Sequence, residues 1–241
     1  LFTATSAITV TGLVVHDTVR FWSPFGQLIL LMLIQAGGLG VMSMAVAVAV
    51  LSGQKIGFRM RWVMQESISA PHLAGIVRLT GFIFRIVLAV ELTGAALLAL
   101  RFCPEMGLGT GLWMALFHAV SAFCNAGFDL MGMAHPYSSL TAYSKDPLVC
   151  IVIALLITVG GIGFLTLDDI RSHGFDFRRY RLQSKLILLI SLFLAVSGFL
   201  FFFFWEFQRD SWHMTAPEAA LAAMFQSVSP RTAGFNSVDL T

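Results

Sequence analysis

The sequence predicts an all-α integral membrane protein made of repeated units, each a span, a short polar loop with a re-entrant half-helix, and a second span. Three observations carry this. Apolar residues make up 57% of the chain, Phe contributes 22 residues, charged residues only 12%, and the mean hydropathy is +0.83, which excludes an ordinary soluble domain. Four apolar runs, near 27–52, 79–100, 148–167 and 186–207, reach the roughly 20 helical residues that cross a bilayer core. A polar, glycine-containing phrase recurs three times.

Taken in order, residues 1–52 hold the polar loop and closing span of a first unit, and 53–77 a connecting loop. Residues 78–170 form a complete second unit, 171–185 another loop, and 186–241 the leading span and polar loop of a third. Lys55, Arg59 and Arg61 sit in the first connecting loop, with Arg78 directly after it, and Arg171, Arg178, Arg179, Arg181 and Lys185 in the second, so both loops are expected on the cytoplasmic side. The remaining connections show no basic excess and should face outside. The net charge of +2 is thereby a topology signal, and no nucleic-acid partner is implied. Each run is too long for a signal-peptide core, and no targeting segment is expected.

The repeat reads FTATSAITVTGLVVHDT from residue 2, FHAVSAFCNAGFDLMG from 117 and FQSVSPRTAGFNSVDL from 225. Each copy opens on Phe, places a serine four residues on (Ser6, Ser121, Ser229), and reaches a glycine (Gly12, Gly127, Gly234). The spans after the first two copies share a second mark, QAGGLG with Gly37, Gly38 and Gly40, and TVGGIG with Gly160, Gly161 and Gly163. Before the polar part lie apolar stretches such as LWMALFHAVSAF (112–123) and PEAALAAMFQSVS (217–229). As helices these rise only about 18–20 Å, too short to cross. Pro217 suits a first turn, while Pro230 and the 125–127 stretch are expected to break the helix. Such a segment must turn back to the side it came from, and its extended return is tolerated at membrane depth only when buried in protein or lining water. Carbonyls freed by glycine, and the negative ends of the half-helices, favour a cation there.

TVTGL (9–13), CNAGF (124–128) and RTAGF (231–235), with the two GG-containing spans, resemble the Trk/Ktr/HKT family of potassium transporters. SPRTAGFNSVD is most similar to the membrane subunit of bacterial Ktr systems. The resemblance implies a fourfold pseudo-symmetric pore, of which this chain carries three filter strands; the fourth, the first unit's leading span and the third unit's closing span are absent. It implies that the filter uses backbone carbonyls of Val10, Thr11 and Gly12, of Asn125, Ala126 and Gly127, and of Thr232, Ala233 and Gly234, so that side-chain identity there is free to vary. Potassium is then the transported ion, sodium a coupled or competing one, and no cofactor is expected in this chain. The setting is a multi-pass plasma membrane protein, in bacteria the inner membrane, surrounded by membrane lipid. The partners implied are a second copy in a homodimer and a ring of cytosolic nucleotide-binding regulatory subunits, with 171–185 a place for contact.

Other residues carry competing readings. Gly37, Gly38, Gly40, Gly160, Gly161 and Gly163 either allow close packing, the favoured reading, or serve as a helix flexure. Arg231, beside the third strand, is expected to brace the loop through a salt bridge with Asp239 or Glu218. Glu91 lies mid-span, as an internally bonded acid or as part of ion permeation, and Arg85 is expected to snorkel. His118 reads as a core histidine, since no second ligand lies at metal spacing. Ser6, Ser121 and Ser229 are expected to bond backbone at the half-helix ends. Cys103, Cys124 and Cys150 are expected to remain thiols. The run FLFFFFWEF (199–207) should face lipid or pack between spans, ending at interfacial Trp205. The protein is not expected to be an enzyme. The alternative classes are an intramembrane hydrolase using His118 with a nearby Ser or Cys, and a broken-helix secondary carrier.

Overall fold

The computed structural model describes residues 1–40, 76–133, 135–174, 176–207 and 214–238. The first span beyond residue 40, most of the loop 53–77 with its basic residues, and Asp239 lie outside the described residues. Among the described residues all regular structure is helical.

Helix α1 (Phe2–Ile8) is short, and α2 (Thr18–Phe21) is a single turn capped by Asp17, whose carboxylate accepts from Val19 N and Arg20 N. Ser23 caps α3 (Pro24–Gly38), with Pro24 in the first turn where its missing N–H costs nothing. Helix α4 (Ile76–Met106) is the longest among the described residues and continues through Pro104, ending six residues beyond the predicted end. A turn at Gly107 (φ +82°) reverses the chain into α5 (Leu108–Phe123), which packs back along α4. Gly111 makes this possible, because a side chain there would meet the backbone of Phe102 and Cys103. From Phe117 to Phe123 every residue of α5 is buried, as expected for a half-helix enclosed by protein.

The return segment 124–146 comes back to the end where α4 closes: Asp146 pairs with Arg101, and Tyr143 OH donates to Glu105 at 2.6 Å. There α6 (Pro147–Gly161) begins, capped by Asp146. The third predicted span does not continue straight to 167. It breaks at Ile162–Gly163 and bends by 94° into α7 (Phe164–His173). Gly163 has φ +83°, a conformation open to glycine that no helix interior contains, so the bend is fixed locally. Asp169 on α7 is 1% exposed and accepts from Ser184 Oγ (2.6 Å) and Arg181 N (3.0 Å), tying α7 to the start of α8 (Leu182–Phe201).

Helix α8 runs on through a π-helical turn, Phe202–Glu206, and is one of two described helices long and apolar enough to cross a membrane, α4 being the other. The bent α6–α7 pair makes a third if counted as one span. The phenylalanine run divides: Phe201, Phe204 and Trp205 are exposed, whereas Phe199, Phe202, Phe203 and buried Phe207 pack on α9 (Ala216–Thr232). On α9 the contact is made by Ala219, Ala222 and Ala223, small residues at helical spacing that allow close approach. Pro217 lies in the first turn as expected, but Pro230 does not end the helix. Only Arg231 and Thr232 follow it, so the bond it omits and the crowding its ring imposes on the Gln226 carbonyl fall at the helix end, where little helix is left to bend.

Candidate functional site

The three repeated turns meet. A Cβ built on Gly12 would stand 2.7 Å from the Ala126 carbonyl oxygen, and one on Gly127 would overlap the Ala233 oxygen and lie 3.8 Å from Gly12 Cα. Gly12, Gly127 and Gly234 all have positive φ (+84°, +71°, +79°), so these positions demand glycine by conformation, and the first two also by space. Gly234 has open space beside it among the described residues.

Each turn is built by the end of its half-helix. In the first two copies Thr11 N donates to Ser6 O (2.9 Å) and Val10 N to Ala7 O (3.3 Å), while Ala126 N donates to Ser121 O (2.8 Å) and Asn125 N to Ala122 O (3.1 Å). Val10 and Asn125 take the left-handed conformation, φ +55° and +57°. These are two copies of one Schellman ending, realised without glycine at the left-handed position. The third copy differs: Thr232 stays in the helix, and Ala233 N and Gly234 N both donate to Ser229 O at 3.0 Å. Beyond the turn, Ser121 Oγ donates to Phe128 O (2.6 Å) and Ser229 Oγ to Phe235 O (2.5 Å), pinning the residue after each glycine. Ser6 Oγ is buried and has no partner among the described residues.

The GG motifs separate into two tasks. Side chains at Gly37 and Gly160, equivalent positions of α3 and α6, would overlap the carbonyl oxygens of Ile8 and Phe123, the last residues of α1 and α5. A side chain at Gly38 would run into Cys124 Sγ, while Gly161 is less confined. Gly40 and Gly163, at φ +80° and +83°, are where the straight helices stop. The motif thus seats a half-helix end first and, in the second unit, bends the span next.

Around this core, Glu91 is 3% exposed and accepts from Gln35 Nε2 at 3.1 Å, and the Cys124 thiol lies 4.0 Å from both Glu91 Oε1 and Gln35 Oε1. The acid is therefore bonded inside the protein, behind the second turn. Arg85 Nε donates to Gly81 O in its own helix. His118 is fully buried: Nε2 accepts from Leu130 N (3.3 Å), so Nδ1 carries the hydrogen donated to Met114 O (2.7 Å). Both ring nitrogens are engaged, which suits a histidine that holds the return strand. Cys103, Cys124 and Cys150 are free thiols.

The salt bridge expected between Arg231 and Glu218 is not formed. Glu218 pairs with Lys145 at 2.9 Å and accepts from Thr215 N at the start of α9, a helix length from Arg231. Arg231 Nη1 instead donates to the Ser191 carbonyl of α8 at 3.1 Å, and its Nε has no partner among the described residues. Residues not singled out as site residues from sequence lace the three units together beyond the turns. Asp17 Oδ2 accepts from Tyr137 N (2.8 Å), Arg20 donates to Gly132 O (2.7 Å) and Met133 O (3.0 Å), and Tyr137 OH to Val15 O (3.2 Å). Leu140 N donates to Asn236 O (2.9 Å), and Asn236 N to Ser139 Oγ (3.1 Å). The second unit's return segment therefore grips the first and the third. The left-handed residues Tyr137 and Ser139 are the local sign of that strain, visible only in coordinates.

The description "TrkH: Cation transport protein" matches residues 1–241, the whole chain. The chain belongs to this family. It is 41% identical over 241 residues to the Ktr system potassium uptake protein B of Bacillus subtilis, covering 99% of this chain and 53% of that protein. It is 37% identical over 242 residues to the potassium/sodium uptake protein NtpJ of Enterococcus hirae, covering 99% and 52%. The chain spans about half the length of these curated relatives. Its fold is similar to the crystal structure of the potassium transporter TrkH from Vibrio parahaemolyticus, with TM-score 0.70 at 20% identity, covering 98% of this chain and 44% of that one. As a TrkH-family chain with bilayer-length apolar helices it is a multi-pass membrane protein.

Proposed function

We propose that this chain supplies three of the four walls of a pore for potassium uptake across the plasma membrane. Peptide oxygens of Val10, Thr11 and Gly12, of Asn125, Ala126 and Gly127, and of Ala233 and Gly234 replace water on the dehydrating ion. The observation that carries this reading is the convergence of the three glycine turns, Gly12 against Ala126 and Gly127 against Ala233. The half-helices α1, α5 and α9 end at the same place, adding the negative ends of their dipoles. A fourth turn completes the ring on the open side of Gly234. Relatives named for potassium uptake, and one named for potassium and sodium, support K⁺ as the ion, with Na⁺ coupled or competing. The bend at Ile162–Gly163 serves as the flexure of the second unit. The basic segment 171–185 lies on the cytoplasmic side and meets a nucleotide-binding regulatory ring, and two copies form a dimer.

The engagement of both His118 nitrogens and of Ser121 Oγ in backbone bonds speaks for a pore over an intramembrane hydrolase. The test is potassium-limited growth of an uptake-deficient cell carrying the full-length protein. Gly127→Ser abolishes rescue on this reading; undiminished rescue, with the variant present in the membrane at normal level, overturns it.

A further inference from the structure

We infer that the hydroxyl oxygen of Thr232 is itself an ion ligand at the deep end of the pore, standing where the first two turns present a peptide oxygen. The Asn125 amide holds it in position. This rests on the filter reading above, but it assigns a side chain to a ring in which only main-chain oxygens were expected.

The first ground is a register difference. Six positions separate Ser6 from Gly12 and Ser121 from Gly127, whereas five separate Ser229 from Gly234. In the first two copies the residue two before the glycine, Val10 or Asn125, has left the helix with positive φ. In the third that residue is Thr232, still within α9. A helical carbonyl points along its own axis, one of the free acceptors of the last turn, so the Thr232 oxygen does not turn as the other two do. One position of the deepest ring thus lacks its equivalent peptide oxygen.

The second ground is what the Thr232 side chain does. Helical threonines commonly return their hydroxyl to the carbonyl four residues back, and Thr93 and Thr158 do so at 2.6 and 2.8 Å, as does Thr9, directly after α1, at 2.8 Å. Thr232 instead donates across the site to Asn125 Oδ1 at 2.8 Å, linking the third turn to the second over 107 residues. The amide is itself fixed, since Asn125 Nδ2 donates to Phe123 O at 3.2 Å. A hydroxyl has one hydrogen and two lone pairs. With the hydrogen committed sideways, only acceptor capacity is left, on an exposed residue beside the turn. That is the electronic requirement for a ligand of a dehydrated cation. Because the acceptor is Asn125, whose own backbone forms the neighbouring turn, the ligand moves with the ring.

The experiment compares Thr232→Val, Thr232→Ser and Asn125→Ala in the full-length protein, with Gly127→Ser alongside. The readouts are the K⁺ concentration dependence and the K⁺ over Na⁺ preference of uptake, at measured membrane abundance. Thr232→Val, similar in shape but lacking the oxygen, raises the apparent KM for K⁺ by about tenfold and lowers the preference, as loss of one charge-assisted contact would. Thr232→Ser stays within about twofold, and Asn125→Ala falls between the two, keeping the hydroxyl but freeing it. If Thr232→Val does not accumulate in the membrane, Thr232→Ala is read in its place by the same criteria, and the Asn125→Ala shift stands as the independent measure. Unchanged uptake in both Thr232→Val and Asn125→Ala, with Gly127→Ser inactive, overturns the ligand role and leaves the filter reading standing. Equal impairment of the Val and Ser variants also overturns it, because the hydroxyl is then not what matters. An active Gly127→Ser instead removes the filter reading itself.

Discussion

At the scale of single residues, glycine acts here in two physically separate ways. At Gly127 the backbone angle and the neighbouring Ala233 oxygen both exclude a side chain, whereas at Gly160 the helix is regular and only space is at stake. Gly160→Ala therefore isolates packing from conformation. The methyl overlaps the Phe123 carbonyl, and α5 must shift against α6. Overpacking of this kind costs about 1–3 kcal/mol, so the detergent-solubilised Gly160→Ala protein is expected to melt several degrees lower. An unchanged midpoint would mean the contact is not tight in the folded protein. The packing reading of this glycine was open to sequence analysis because its motif repeats. That its neighbour would be the last carbonyl of a half-helix was not, since no local pattern names a contact partner on another helix, as Phe123 is to Gly160 and Ile8 to Gly37.

At the scale of elements, the half-helix and its return form one device, held by a hydroxyl that crosses the turn. Ser121 and Ser229 donate to Phe128 O and Phe235 O, but Ser6, at the same place in the phrase, bonds nothing among the described residues. The same residue type at the same distance from the opening Phe thus carries unequal costs. Ser229→Ala leaves a buried carbonyl unsatisfied and should lower stability by about 1–3 kcal/mol, while Ser6→Ala should be close to neutral. Thermal melting of the two variants side by side checks this, and equal losses would contradict the copy-specific bonding. Two element boundaries departed from expectation. Pro230 was expected to end α9, but the helix runs on to Thr232, the proline's missing bond and ring crowding falling where little helix is left to bend; the bend at Gly163 was hidden inside an apolar run that composition reads as continuous.

At the scale of the whole molecule, the segment 131–140 laces three units together, and it brings two acids near each other. Asp17 is engaged by Val19, Arg20 and Tyr137, while Asp129 accepts from Met131 N alone among the described residues, and its partial burial, together with the charge of Asp17, pushes its carboxyl up to about 6. An acid that binds its proton more tightly when folded stabilises the fold fully below the unfolded value near 4, and the stabilisation is lost as pH rises through about 6. Asp129→Asn, neutral at every pH and still able to accept from Met131 N, should therefore raise the melting temperature at pH 7–8, with the difference shrinking toward pH 4. A difference independent of pH would show that Asp129 titrates normally. None of the lacing was legible in the sequence, because Asp17, Arg20, Ser139 and Asn236 look like ordinary polar loop residues until the return segment is folded over them.

The sequence by itself determined the solvent, the repeated unit and the residues at which the backbone must turn. Hydropathy, internal repetition and glycine are properties a chain carries whatever its neighbours are. Only the tertiary structure decided that the three turns stand against one another, that Arg231 reaches the Ser191 carbonyl instead of Glu218, and that Thr232 bonds Asn125 across the site. Those outcomes depend on which helix ends arrive side by side. A one-residue change of register in α9 was enough to alter the chemistry of one turn while leaving the pattern of the repeat recognisable.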